Sequence, residues 1–296
     1  MRISVVAVPV CLVAALAAPA TAFTESATSA ASGPERHHGR ALAAPRALTA
    51  YGLTTDQRLV RFGVEKPSAT TSVGTLSGLA GDTKLIGIDF RVQNLKLYGV
   101  GDQGGIYTIG TNNARAVKVS QLTIALSGTW FGVDFNPAAD RLRVVSDTGQ
   151  NLRHNINDST GTIGTVADGV LSNPTVPPST AKGITGAAYT NNDLNTATAT
   201  TLFDLDTLTD RLSLQSPANA GSLAPTGGLG LHAEPSAGFD IYFAPEQGTN
   251  HGFATLRSGS RHRLYQVNLL TGATRSLGSF PTDRQVADIA LPLDQG

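Results

Sequence analysis

"GIDFRVQNLKLYGVGDQGG" (87–105) and "GVDFNPAADRLRVVSDTGQ" (132–150) match position for position without a gap. Gly87 stands over Gly132, Asp89 over Asp134, Leu97 over Leu142, Asp102 over Asp147 and Gly104 over Gly149. Self-similarity of this kind marks a repeat architecture, so the pair decides how the rest of the chain is read. The leading run recurs as "LIGIDF" (85–90), "WFGVDF" (130–135), "ITGAAY" (184–189), "SAGFDI" (236–241) and "VADIAL" (286–291). The glycines Gly87, Gly132, Gly186 and Gly238 lie 45, 54 and 52 residues apart.

A second run recurs as "RLVRFGV" (58–64), "GIYTIGT" (105–111), "NLRHNIN" (151–157), "TLFDLDT" (201–207) and "RLYQVNL" (263–269). Turn residues and a further short β-rich stretch follow each of these, and no segment has a convincing helical period. Each unit therefore reads as four short strands over roughly 45–50 residues, the spacing of a propeller blade. The first unit, 48–76, lacks a leading strand, whereas "VADIAL" is a leading strand with no blade of its own. Joining the two removes two exposed strand edges. The expected fold is all-β, a five-bladed β-propeller of four-stranded blades, closed by the C-terminal strand joining blade 1.

The 296-residue chain holds 22 basic and 22 acidic residues. Residues 1–22 read as a cleavable export signal. Arg2 supplies the positive end, an apolar stretch interrupted by Pro9 follows, and Ala20-Thr21-Ala22 fits a small-x-small cleavage site. The expected location is secreted, extracellular or in the cell-envelope space. Cleavage removes Arg2 and no acid, leaving 21 basic against 22 acidic residues and no basic stripe for nucleic acid. It also removes Cys11, the single cysteine, so disulfides and thiolate chemistry are not expected. Residues 23–46, rich in Ala, Ser, Gly and Pro, read as a flexible leader in which His37 and His38 are solvated, and 47–296 as the propeller domain. No membrane insertion is expected after cleavage.

The stretches "LTAYGLTTDQRLVRF", "GIDFR", "GVDFNPAADRLRVVSDTGQNLRHN", "AAYTNND" and "RLYQVNLLTGA" together resemble the bacterial domain-of-unknown-function 4394 family over about residues 47–293. The resemblance implies an exported, β-propeller-like domain. It carries no reaction, ligand or catalytic residue with it. Arg153-His154-Asn155 departs from the more regular apolar alternation expected there.

Two sets of residues are candidates for chemistry. Asp89, Asp134 and Asp240 each stand two positions after a repeat glycine on a leading strand. Propeller glycosidases need two carboxyls in unlike environments, one an acid and one a base or nucleophile. Repetition at one position points instead to a structural role, with each carboxylate binding backbone N–H groups that a curved inner strand leaves unpaired. The second set lies in or beside loops expected on one face: Trp130, Gln150, His232, Glu234, Arg261, His262 and Arg263. Trp130 would stack on a ring, the arginines would hold an anion, and His232 with Glu234 would form an acid–base pair.

"NINDSTG" (155–161) and "DLDTLTD" (204–210) lack the full ligand run of a calcium loop, and read as Asx turns in outer hairpins. No metal and no cofactor are expected. The reading favoured is a non-catalytic module binding a ligand, glycan or protein on the loop face. The alternative is a hydrolase or lyase on a saccharide or secreted metabolite, using Glu234 or His232 with Asp134 or Asp240. A structural cell-surface module is a weaker alternative.

Overall fold

Glycine and alanine crowd the leading runs because strands at a propeller axis meet nearly backbone to backbone. A Cβ built on Gly132 would lie 2.5 Å from the Ala187 nitrogen, and one on Gly238 would lie 2.5 Å from the Asp288 Cα. Real side chains cannot occupy that space, so the glycine spacing in the sequence is the spacing of the innermost strands.

The computed structural model describes residues 47–157 and 164–295. Blade 1 holds β1 (Thr49–Thr54), β2 (Arg58–Gly63) and β3 (Thr71–Thr75). Blade 2 holds β4 (Leu85–Arg91), β5 (Lys96–Gly101), β6 (Gly105–Ile109) and β7 (Ala116–Gln121). Blade 3 holds β8 (Phe131–Asn136), β9 (Arg141–Ser146), β10 (Asn151–His154) and β11 (Thr165–Ala167). A small hairpin follows, β12 (Ser172–Asn173) with β13 (Ser179–Thr180). Blade 4 holds β14 (Ile184–Tyr189), β15 (Leu202–Asp206), β16 (Arg211–Gln215) and β17 (Leu223–Gly228). Blade 5 holds β18 (Glu234–Ala244), β19 (Thr249–Ser258), β20 (Arg261–Val267) and β21 (Thr274–Ser279).

The last strand, β22 (Val286–Ala290), pairs antiparallel with β1, and the sheet order β22-β1-β2-β3 makes it the innermost strand of blade 1. Tyr51 faces Ala290 and Leu53 faces Asp288. The ring is closed as the sequence implied, and β1 is paired on both sides, with β2 and with β22.

Burial falls from the axis outward. The inner strand β14 is buried at every position, while β7 exposes Val117 and Val119. Five apolar clusters fill the five junctions between blades. Phe62, Phe253 and Val286 sit between blades 5 and 1; Ile88, Phe90 and Leu59 between 1 and 2; Tyr98, Phe135 and Leu142 between 2 and 3. Phe239, Leu205 and Tyr265 sit between blades 4 and 5. The cluster between blades 3 and 4 is the smallest, built on Val145, Ile184 and Tyr189. Buried Arg143 supplements it, donating to Tyr189 Oη at 3.1 Å, Asn151 Oδ1 at 2.7 Å, Asp168 Oδ2 at 2.6 Å and Asn219 Oδ1 at 2.8 Å.

The uneven glycine spacing has two sources. The β12–β13 hairpin lengthens the entry to blade 4, and residues 190–201 form a long connection between β14 and β15. That connection also shifts one expected assignment. "TLFDLDT" is the second strand of blade 4, pairing with β14, and the third strand is the following "RLSLQ". Its apolar alternation copies the third strands of the other blades, which is why the run aligned with them. The stretches read as an export signal (1–22) and a leader (23–46, with His37 and His38), and residues 158–161 of "NINDSTG", lie outside the described residues. No helix among the described residues is long and apolar enough to cross a membrane.

Candidate functional site

The inner-strand aspartates meet at the axis. Asp89, Asp134 and Asp240 are 4%, 1% and 2% exposed, and one carboxylate oxygen from each lies within 4.8 Å of the others. Each reaches from its own blade to the next. Asp89 Oδ2 accepts the Phe135 N–H at 2.8 Å, Asp134 accepts the Tyr189 N–H, and Asp240 Oδ2 accepts the Leu291 N–H at 2.6 Å. Asp89 Oδ1 and Asp240 Oδ1 also take the N–H of the residue after their own, Phe90 at 2.7 Å and Ile241 at 2.6 Å. Asp134 Oδ1 has no such partner, because the Phe135 N–H that would serve it is already given to Asp89.

A fourth carboxylate joins them. Asp288 Oδ2 accepts the Ile88 N–H at 2.8 Å, carrying the blade-to-blade pattern from blade 1 to blade 2. Sequence reasoning missed it because it stands in the glycine slot. The register breaks of blades 1, 2 and 4 skip Ala287, Ile86 and Thr185, which aligns Asp288 with Gly87 and Gly186. Ala290 and Ala188 then occupy the aspartate slot in blades 1 and 4. "VADIAL" contained the signal, but only the bulge fixes its phase.

Burial governs the acidity of this cluster. Loss of solvation, with Asp240 as the main like charge, holds Asp89 well above the ordinary carboxylate range. Asp134 is raised the same way, with Asp89 as its main like charge. Burial brings Asp240 to about 6, and lifts Asp288 as well. The leading influences on these groups are desolvation, other carboxylates and backbone amides, with no cation among them. Asp204, in β15, is also buried with neither oxygen bonded, and only the charge of Arg143 opposes the desolvation that raises it.

The loop residues are spread over separate places. Trp130, exposed just before β8, accepts the Asp147 N–H with its carbonyl at 3.0 Å. Gln150 binds the loop entering the same blade, taking the Ser127 N–H at 2.8 Å and donating to the Ala125 carbonyl at 2.8 Å. His232 Nδ1 lies 3.0 Å from Asp210 Oδ2, its side chain 79% exposed. Glu234 Oε2 lies 3.1 Å from Arg257 Nε. Arg261 and Arg263 are exposed, and all of 261–263 belongs to β20 rather than to a loop.

His262 is buried. Its Nε2 lies 2.9 Å from Ser236 Oγ and its N–H donates to Gln285 Oε1 at 2.7 Å. Alternation along "RHRLYQV" turns it to the same side as Leu264, a period-two signal readable in the sequence. Burial pushes its pKa below the ordinary histidine value. Among the described residues, no hydrogen bond or ion pair joins Glu234 or His232 to Asp134 or Asp240.

At the opposite end of the inner strands, a groove of about 390 Å³ is lined by Val92–Leu95, Asn192–Leu194, Leu293 and Asp294. Gln93 Nε2 donates to the Pro137 carbonyl and Asn192 Nδ2 to the Ile241 carbonyl, while the Oε1 and Oδ1 of the same amides are buried without a partner. Leu95 and Leu194 are exposed beside them. Nothing in the sequence distinguished these two amides from other turn residues.

Fold and site define a five-bladed β-propeller in which carboxylate-to-amide hydrogen bonds at the axis link blades 1 to 2, 2 to 3, 3 to 4 and 5 to 1. The chain belongs to the family described as domain of unknown function (DUF4394), whose model matches residues 58–290. No curated protein matches it. Among solved structures it is similar to a protein from Lactobacillus plantarum at 18% identity and TM-score 0.38, covering 79% of this chain and 67% of that one. A structural genomics protein of unknown function from Bacteroides thetaiotaomicron matches at 12% identity and TM-score 0.43, covering 84% and 66%. The Myxococcus xanthus glutaminyl cyclase matches at 14% identity and TM-score 0.40, covering 75% and 99%. These likenesses carry no statement about activity.

Proposed function

We propose that this chain is an exported, non-catalytic binding module that recognises a glycan, small molecule or protein at the face where the inner strands begin. The observation that carries the reading is the occupation of the axial acids. A general acid and base must be free to face a substrate, whereas each axial acid has an oxygen bonded to a neighbouring blade's backbone, and Asp89, Asp134 and Asp240 are buried. Glu234 and His232 are likewise paired elsewhere, with Arg257 and Asp210. Exposed Trp130 on that face is a flat amphipathic surface suited to stacking on a sugar or aromatic ring, and Arg261 and Arg263 are exposed as well. Export rests on Arg2 and the Ala20-Thr21-Ala22 site of the sequence.

A second location for the same activity is favoured by the unbonded oxygens of Gln93 and Asn192 in the groove at the other end. Two buried acceptors beside exposed leucines suit a ligand with N–H donors and an apolar body. The reading is tested by screening glycans and small metabolites against the purified chain for both binding and turnover. Binding without turnover supports it. Turnover of any compound that E234Q abolishes would replace it with the hydrolase or lyase reading.

A further inference from the structure

We propose that Asp89, Asp134 and Asp240 together form an axial site for one hard divalent cation of the calcium class. Two observations carry this independently. The first is the convergence of three carboxylate oxygens within 4.8 Å of one another. Calcium holds oxygen ligands at about 2.3–2.6 Å, so two ligands of one ion lie at most about 4.6–5.2 Å apart. The donor set is all oxygen, which favours calcium, magnesium or manganese over zinc or copper.

The second observation is Asp134 Oδ1, an unbonded polar atom on a side chain only 1% exposed. Its state follows from the repeat. Blades 2 and 3 are consecutive blades with aspartate in the same slot, and Asp89 takes the one N–H, that of Phe135, that both can reach. Asp89 and Asp240 escape this conflict because the blades before them carry Ala290 and Ala188 in that slot. A buried carboxylate oxygen without a donor is costly, and no arginine, lysine or histidine bonds to any of the three acids among the described residues. A dication would offset two of the three charges. The amides of Phe90, Phe135, Tyr189, Ile241 and Leu291 stabilise the rest. The ion would tie blades 2, 3 and 5 together at the axis, a role separate from ligand recognition on either face.

The full chain is unfolded in denaturant with EDTA and refolded with EDTA alone, or with calcium, magnesium or manganese in excess. Metal content is then read by elemental analysis and stability by thermal unfolding. One ion per chain and a Tm rise of about 5–10 °C over the EDTA sample are expected at saturating calcium. D134N should refold with EDTA as well as the wild type and lose both the bound ion and the Tm rise. No stoichiometric ion and no Tm shift with any of the three metals in the wild type would overturn the proposal. So would calcium binding by D134N equal to that of the wild type.

Discussion

The Phe135 N–H donates to Asp89 Oδ2 at 2.8 Å, and so Asp134, the residue before it, keeps one carboxylate oxygen with no partner. One N–H sought by two aspartates makes the axis asymmetric although its sequence positions repeat.

That asymmetry sets an order among substitutions. In D89A the Phe135 N–H is released and Asp134 can take it, leaving only the Phe90 N–H without its acceptor. In D240A both the Ile241 and Leu291 N–H groups lose theirs, and nothing replaces it. A buried N–H left unpaired costs about 1–3 kcal/mol, so D240A should be the less stable variant by at least about 1 kcal/mol. Chemical denaturation of the two metal-free proteins checks this; equal stabilities would mean that the hydrogen bonds do not redistribute.

The glycine slots should be among the positions least tolerant of change. G132A would bring a methyl group to 2.5 Å from the Ala187 nitrogen and 2.6 Å from the Gly186 carbonyl carbon, both backbone atoms of the next blade. Neither can swing aside as a side-chain end could. A loss of about 3 kcal/mol or more is expected in denaturant unfolding, at the upper end of overpacking costs.

His262 gives the chain a pH dependence of known sign. Burial lowers its folded pKa below 6.5, its ordinary value, so the folded state resists protonation more than the unfolded one. Its stabilising contribution is therefore complete above pH 6.5 and is lost as pH falls through the folded value. Buried His251 acts in the same direction, whereas the raised axial aspartates act in the opposite one. The measurement is consequently a difference: the wild type should lose stability relative to H262Q as pH falls below 6.5, by about 1.4 kcal/mol per unit of depression. Parallel stability curves for the two proteins would refute the assignment.

Strand positions at the axis were legible because close backbone approach demands glycine, and glycine is visible in a sequence. The closing partnership of "VADIAL" with blade 1 was legible for a related reason, since one unit lacked the strand that the other end supplied. Blade 4 was misread where "TLFDLDT" copied the alternation of a third strand while a long connection moved it to second place. The aspartates were visible as a repeated position, and a structural role followed from that repetition. Their convergence was not visible, because it depends on each side chain crossing to the next blade. Asp288 hid in a glycine slot whose phase only a bulge reveals. His262 was misplaced on the surface although "RHRLYQV" already alternated.

The central functional claim concerns the face bearing Trp130, which is the only tryptophan in the chain and so reports on itself. Its fluorescence should be followed while each compound that binds in the screen is titrated in, for the wild type, W130A and N192A. The account predicts a saturable change in the emission of wild type and N192A, and at least about tenfold weaker binding by W130A in a label-free assay. Binding that leaves the Trp130 emission unchanged, survives W130A and is lost in N192A would contradict it and move recognition to the groove at the other end of the inner strands.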